Sequence, residues 1–93
     1  MSRSRELRVY GARSERRECP PAPNGNRQTR EVIAAHSRTE AKRLAGWDIA
    51  VSEVCETGNA EELALAMAAP GVLFWTPLGE RTPRTWTRVE VKP

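Results

Sequence analysis

Aromatic residues are scarce in this chain: Tyr10, Trp47, Phe74, Trp75 and Trp86 are the only five in 93 positions. A core with so few rings is small, and Phe74 with a neighbouring tryptophan is expected to anchor it. Histidine is scarcer still. His36 stands alone, which excludes a two-histidine metal site and leaves it a capping or half-buried polar role at a strand end. The two cysteines, Cys19 and Cys55, lack the paired spacing of a zinc ribbon or a redox dithiol. Both read as free thiols, Cys55 as a small core residue in an apolar run and Cys19 in a loop. No apolar run approaches the roughly 18 to 20 residues of a membrane span, because the best of them, residues 63–69, meets Pro70. The N-terminus alternates Arg3, Arg5 and Arg8 with polar residues and has no apolar signal region, so a cytoplasmic site is expected. Neither a Walker loop nor a dinucleotide fingerprint is present, and no cofactor is expected.

What the chain does have suits one ordered domain. Its 10.4 kDa leave room for a single modest core, and 39% hydrophobic with 29% charged residues lies near the range of globular proteins, at a mean hydropathy of −0.62. The formal charge of +3 conceals an asymmetry. Residues 1–43 hold eleven Lys or Arg against five acids; the remainder hold four against seven. A basic half suits nucleic acid or an acidic protein partner. Thirteen of the fifteen basic residues are arginine, and alanine occurs twelve times, so a GC-rich coding bias accounts for the same excess.

The pattern along the chain alternates strands and helices. Leu7-Arg8-Val9-Tyr10 reads as a first strand. Residues 14–27, charged and then rich in Pro, Asn and Gly, read as a long and mobile loop suited to contact. Val32-Ile33-Ala34-Ala35 reads as a strand buried on both faces. Ser37 and Glu40 form a capping box for a helix that Gly46 ends. A third strand is expected over residues 49–55. Asn59 then caps a second helix, with Glu61 and Glu62 in its first turn, Leu63 and Met67 on its buried side, and Pro70-Gly71 as its stop. Val72-Leu73-Phe74-Trp75 and residues 85–91 read as a closing antiparallel hairpin. Two successive strand-helix units place the helices on one face of the sheet. The expected fold class is therefore α/β (α+β): a small mixed sheet of four to five strands with two short helices, in the order β-loop-β-α-β-α-β-β.

No constellation carries a reaction. Glu53, Glu56, Glu61 and Glu62 are accounted for by a strand end and a helix N-terminus, so no catalytic, cofactor or metal residue is assigned and the chain is read as non-enzymatic. A helix-turn-helix competes with the α/β reading: residues 39–46 resemble a first helix and turn. Its recognition helix would begin at Trp47 and present Asp48, Glu53 and Glu56 to DNA, against the phosphate charge. Trp86 alternates with Arg88 and Glu90, and an exposed tryptophan beside arginine suits a protein contact.

Arg8-Val9-Tyr10-Gly11, Gln28-Thr29-Arg30-Glu31-Val32, the segment from Glu56 through Glu62, and Pro70-Gly71-Val72-Leu73-Phe74-Trp75 together resemble small accessory proteins encoded by bacteriophages of high-GC actinobacteria. That resemblance implies a host-directed accessory role in the cytoplasm of a bacterial host, and no activity or cofactor. The expected partner is a host or phage protein, contacted through Arg13, Arg16, Arg17, Arg27, Arg30, Trp86 and Arg88, with regulation or inhibition of the host as the outcome. The alternative is a nucleic-acid-binding regulator that uses the same basic half. No membrane partner is expected, and the oligomeric state is left open.

Overall fold

Continuous apolar runs, residues 32–35 and 73–75, make the central strands, and segments capped by Ser37 and Asn59 supply the helices. The computed structural model describes residues 6–20, 25, 27–47, 53–79 and 84–89. In chain order these make β1 (Arg8–Glu15), β2 (Gln28–Ala35), α1 (Arg38–Ala45), β3 (Cys55–Glu56), α2 (Ala60–Met67), β4 (Leu73–Pro77) and β5 (Thr87–Val89). The strands form one sheet in the order β3-β1-β2-β4-β5. This is the expected α+β fold, a small sheet with two short helices in the expected sequence of elements. Every pairing in it is antiparallel. The reason lies in the connections: α1 leads the chain from β2 to the far side of β1, and α2 carries it back to the far side of β2, so no strand lies beside a parallel neighbour.

The helix ends follow their local chemistry. Ser37 Oγ accepts the Glu40 N–H at 3.1 Å, and Gly46 ends α1 at φ 75°. The Glu40 carboxylate reaches one residue further back than a capping box requires and accepts the His36 N–H at 2.7 Å. Asn59 Oδ1 accepts the Glu62 N–H at 3.0 Å, as its N-cap position demands. After α2, Gly71 takes φ 81°, and its N–H donates to the Ala34 carbonyl at 2.9 Å, which ties the helix stop to β2.

The two helices cover opposite faces of the sheet rather than one. Ala41 of α1 packs with Tyr10, Ile33, Ala35 and Leu73, whereas Ala66 of α2 packs with Val9, Val32, Ala34 and Phe74. Strand alternation requires this: Ile33 and Ala35 point one way, Val32 and Ala34 the other. A sheet apolar on both sides needs a cover on both. Trp47 closes the α1 side and a half-buried Trp86 the α2 side.

Several local expectations change. β1 runs on through Ser14 and Glu15, paired with Thr29 and Gln28, so the loop placed at residues 14–27 begins at Arg16. Cys19 is the buried thiol and Cys55 the exposed one. The Cys19 S–H lies 3.4 Å from the Pro20 carbonyl and 3.6 Å from that of Gln28, folded beneath the start of β2, while Cys55 occupies an edge strand. Leu63 and Met67 are exposed, and α2 turns Glu62 and Ala66 inward instead. Of the third strand, residues 49–52 lie outside the described residues, as do residues 90 and 91 of the last. A helix-turn-helix does not fit: Ala41 and Trp47 are buried against the sheet, and Cys55 and Glu56, the end of the supposed recognition element, form a strand.

Candidate functional site

Glu31 and Glu62 are 1% and 2% exposed, and burial of a carboxylate requires partners at nearly every acceptor position. Their surroundings therefore decide whether they do chemistry or hold the fold. Glu31 lies on the α1 face of β2. It accepts from Arg16 Nε at 2.7 Å, Arg16 Nη2 at 3.3 Å, the Thr29 hydroxyl at 2.8 Å and the Trp47 indole N–H at 2.9 Å. The next residue back, Arg30, points to the α2 face by strand alternation and makes a two-pronged bridge to Glu62, both N···O distances 2.9 Å. The Thr57 hydroxyl donates to Glu62 at 2.7 Å, and Arg84 Nη2 adds a fourth bond at 3.0 Å.

Arg84 joins a second carboxylate to this cluster. Its backbone N–H and Nε donate to Glu61 at 2.7 and 2.8 Å, and its guanidinium lies 4.8 Å from the centre of the Trp86 ring. The hydrogen bond from the Arg84 backbone N–H is the main cause holding the Glu61 carboxyl below the usual carboxylate range. The Trp86 indole N–H helps lower it, although it falls outside hydrogen-bond geometry and has no other partner among the described residues. For Glu62, burial pushes the pKa up most strongly, but the bonds from Arg30 and Thr57 outweigh it and the net direction is down. Arg84 moves the opposite way: burial disfavours its charge, yet Glu61 and Glu62 together raise its pKa. Two arginines thus face two glutamates, and the acceptors of Glu62 are occupied by a guanidinium pair and a hydroxyl. Glu62 fixes elements in place with four hydrogen bonds on its two oxygens, while Glu61 accepts two, both from Arg84.

Gly11 is part of the same cluster. The Arg30 guanidinium crosses over its Cα, and a Cβ added there would collide with Nη2 and the central carbon of Arg30. Gly11→Ala is expected to push that guanidinium off Glu62 and to lower the unfolding free energy by about 2 kcal/mol, the scale of charge-assisted hydrogen bonds lost. Urea unfolding measures this, and an unchanged midpoint would count against the close approach.

The arginines expected to contact a partner do not gather on one surface. Arg16 and Arg30 turn to opposite faces and are held by Glu31 and Glu62. Arg27 is exposed, but its Nη1 donates to the carbonyls of Arg17 and Cys19, both at 3.0 Å. Glu15, Arg16, Arg17 and Arg27 line an open groove of about 220 Å³ at the end of the β1–β2 hairpin. Arg13 is exposed across the strand pair from Arg30, and Arg88 is exposed on β5. Trp86 is half-buried beneath Arg84 and packs against the α2-side core rather than standing free.

The feature that sequence reading missed is the outer side of α2. Ala60, Leu63, Ala64, Met67 and Ala68 are all exposed, and their spacing of i, i+3, i+4, i+7 and i+8 makes one continuous apolar stripe. The periodicity was visible in the sequence; the direction was not. Among the described residues no three of His, Cys, Asp and Glu gather to hold a metal, and no helix is long and apolar enough to cross a membrane. Comparison of the chain with family models, with curated proteins and with solved structures returned no match.

Proposed function

We propose that the chain is a non-enzymatic binding module that contacts another protein through the outer face of α2. One observation carries this reading. Leu63 and Met67 are 36% and 45% exposed, one helical turn apart, and alanines at 60, 64 and 68 beside them let a partner approach the helix backbone closely. A small protein gains nothing in its own fold from such a stripe, whereas contiguous exposed apolar surface marks interaction sites. The buried glutamates support the non-enzymatic part, since their acceptors are filled by arginine, hydroxyl and indole donors. That the partner belongs to a bacteriophage or its host, and is regulated or inhibited by the contact, rests on the sequence resemblance.

A nucleic-acid role draws on the groove lined by Arg16, Arg17 and Arg27 and on the exposed Arg38, Lys42 and Arg43 of α1. It is the weaker reading because Arg16, Arg27 and Arg30 already bind groups of their own chain. Affinity capture from bacterial lysate separates the two. The protein-binding reading expects a stoichiometric protein that the double variant Leu63→Glu/Met67→Glu no longer recovers, with stability changed by no more than about 0.5 kcal/mol as for other exposed positions. Recovery of nucleic acid alone, released by salt, would replace it with the second reading.

A further inference from the structure

Three arginines hold Glu31, Glu61 and Glu62, and each does so with the same edge of its guanidinium. Arg16 and Arg30 place Nε and Nη2 on one carboxylate, and Arg84 divides the same two nitrogens between two, using the side-on fork that matches a pair of oxygens. Arg27 is arranged the other way round. Its Nη1 donates to the carbonyls of Arg17 and Cys19, both at 3.0 Å, which occupies both hydrogens of that nitrogen. Nε and Nη2 have no partner among the described residues, so the fork is held in position and remains available to an acceptor from outside the chain. The turn that holds it is itself fixed. The Arg16 N–H donates to the Arg27 carbonyl at 3.3 Å, the Cys19 N–H donates to the Arg16 carbonyl at 3.1 Å, and Cys19 is buried. Arg17 lines the same groove, is exposed, and has no side-chain partner among the described residues.

We propose that this groove binds a terminal phosphate group, of a phosphomonoester or of free phosphate, with Arg27 as its two-pronged donor and Arg17 as its second cation. A guanidinium already fixed through its other nitrogen loses little freedom when its fork takes up an anion. Oxygen count selects the ligand. A terminal phosphate has three unbridged oxygens, two for the Arg27 fork and one for Arg17. A carboxylate or an internal phosphodiester has two, and the fork alone takes both. Charge points the same way: Glu31 balances Arg16, and Arg17 and Arg27 are left facing the single acid of the groove, Glu15. Glu15 is exposed and makes no ion pair among the described residues, so it weakens the field that an anion meets without occupying the fork. The groove shares no residue with the outer face of α2, and the proposal stands apart from the protein-binding reading.

An NMR titration of the full chain at constant ionic strength, read on the arginine Nε–H and backbone amide resonances of residues 15–17 and 27, tests it. Inorganic phosphate at about pH 8, where it is a dianion, is expected to bind with a dissociation constant on the order of 1 mM, about fivefold or more tighter than acetate or dimethyl phosphate. Phosphoserine and a nucleoside monophosphate, titrated in parallel, identify the source: an ester that binds tighter than inorganic phosphate names the ligand, and equal affinity names free phosphate. Arg17→Ala should weaken phosphate binding about fivefold, and Arg27→Lys, which keeps the charge and loses the fork, about tenfold. Glu15→Gln should strengthen it about threefold by removing the like charge. Arg27 also holds the turn, so Arg17→Ala and Glu15→Gln, at side chains without internal bonds, carry the test if Arg27→Lys shifts amides beyond the groove. Shifts that chloride reproduces, or Arg17→Ala and Glu15→Gln both binding like the parent, would overturn the proposal. Acetate or dimethyl phosphate bound as tightly as phosphate would overturn it too, the diester result turning the groove over to a nucleic-acid backbone.

Discussion

Glu62→Ala is expected to lower the unfolding free energy by about 3–5 kcal/mol, because removal of one partner from a buried ion pair leaves the other charge uncompensated. Arg30, which is half-buried over Gly11, would lose both of its carboxylate bonds, and Arg84 one of its contacts. A chain of 93 residues is stable by roughly 5–14 kcal/mol, so the variant sits near the edge of folding. The same cluster sets the acid response. Glu61 and Glu62 both have lowered pKa values in the folded state. In the window below the ordinary glutamate pKa of about 4.3 the unfolded chain therefore binds more protons than the folded one, and stability falls as pH drops through the lowered values. Above that window the stabilisation is fully present. Denaturant unfolding at pH 7 and at stepped acid pH should show the parent losing stability on acidification, and Glu62→Ala starting lower with a shallower slope. A variant as stable as the parent, with the same slope, would show that the bridge carries no weight.

Glu31→Ala is expected to cost a similar amount, about 3–5 kcal/mol, by a different route. Here the loss strands three donors on the α1 face: the Arg16 guanidinium, the Thr29 hydroxyl and the Trp47 indole N–H. These belong to the hairpin loop, to β2 and to the segment that follows α1, so one carboxylate joins three parts of the fold. Glu31→Gln keeps the shape and one acceptor and should lose less, about 1–2 kcal/mol, as expected for the exchange of a charged for a neutral acceptor. Thermal unfolding ranks the two variants. The Trp47 indole proton resonance reports the contact itself, moving in both variants if the carboxylate is its acceptor and staying put if it is not.

Those two glutamates also explain what could and could not be read from sequence. Capping is local, so Ser37 with Gly46 and Asn59 with Gly71 marked the helices within a few residues of their observed ends. Apolar runs placed β2 and β4 in the same way, whereas β1 runs five residues past the alternation at residues 7–10, through a polar stretch that pairing with β2 holds extended. The rotation of α2 was ambiguous because both of its sides are apolar: Leu63 and Met67 on one, Leu65, Ala66 and Ala69 on the other. A long-range charge decides it. Arg30 draws Glu62 toward the sheet, residues 65, 66 and 69 follow inward, and Leu63 and Met67 are left outside. That bond joins positions 32 residues apart, and the Glu31 and Glu61 pairs span 15 and 23, distances over which sequence spacing carries no signal. The same blindness explains the arginine-rich half. Its residues suggested a free basic face, but Arg16 and Arg30 complete carboxylates buried elsewhere in the chain. Cys19 and Cys55 exchanged roles for a related reason: burial of Cys19 depends on how the hairpin loop folds back on Gln28, which its Pro-rich flank does not announce.

The central claim is that buried charge holds this fold together and that the exposed apolar side of α2 makes its contact. A paired capture experiment tests it most directly, with Leu63→Glu/Met67→Glu on one side and Arg13→Ala/Arg17→Ala on the other, both changed at exposed positions. The account predicts that the first variant loses the protein recovered by the parent and the second retains it. Retention by the α2 variant and loss by the arginine variant would contradict it.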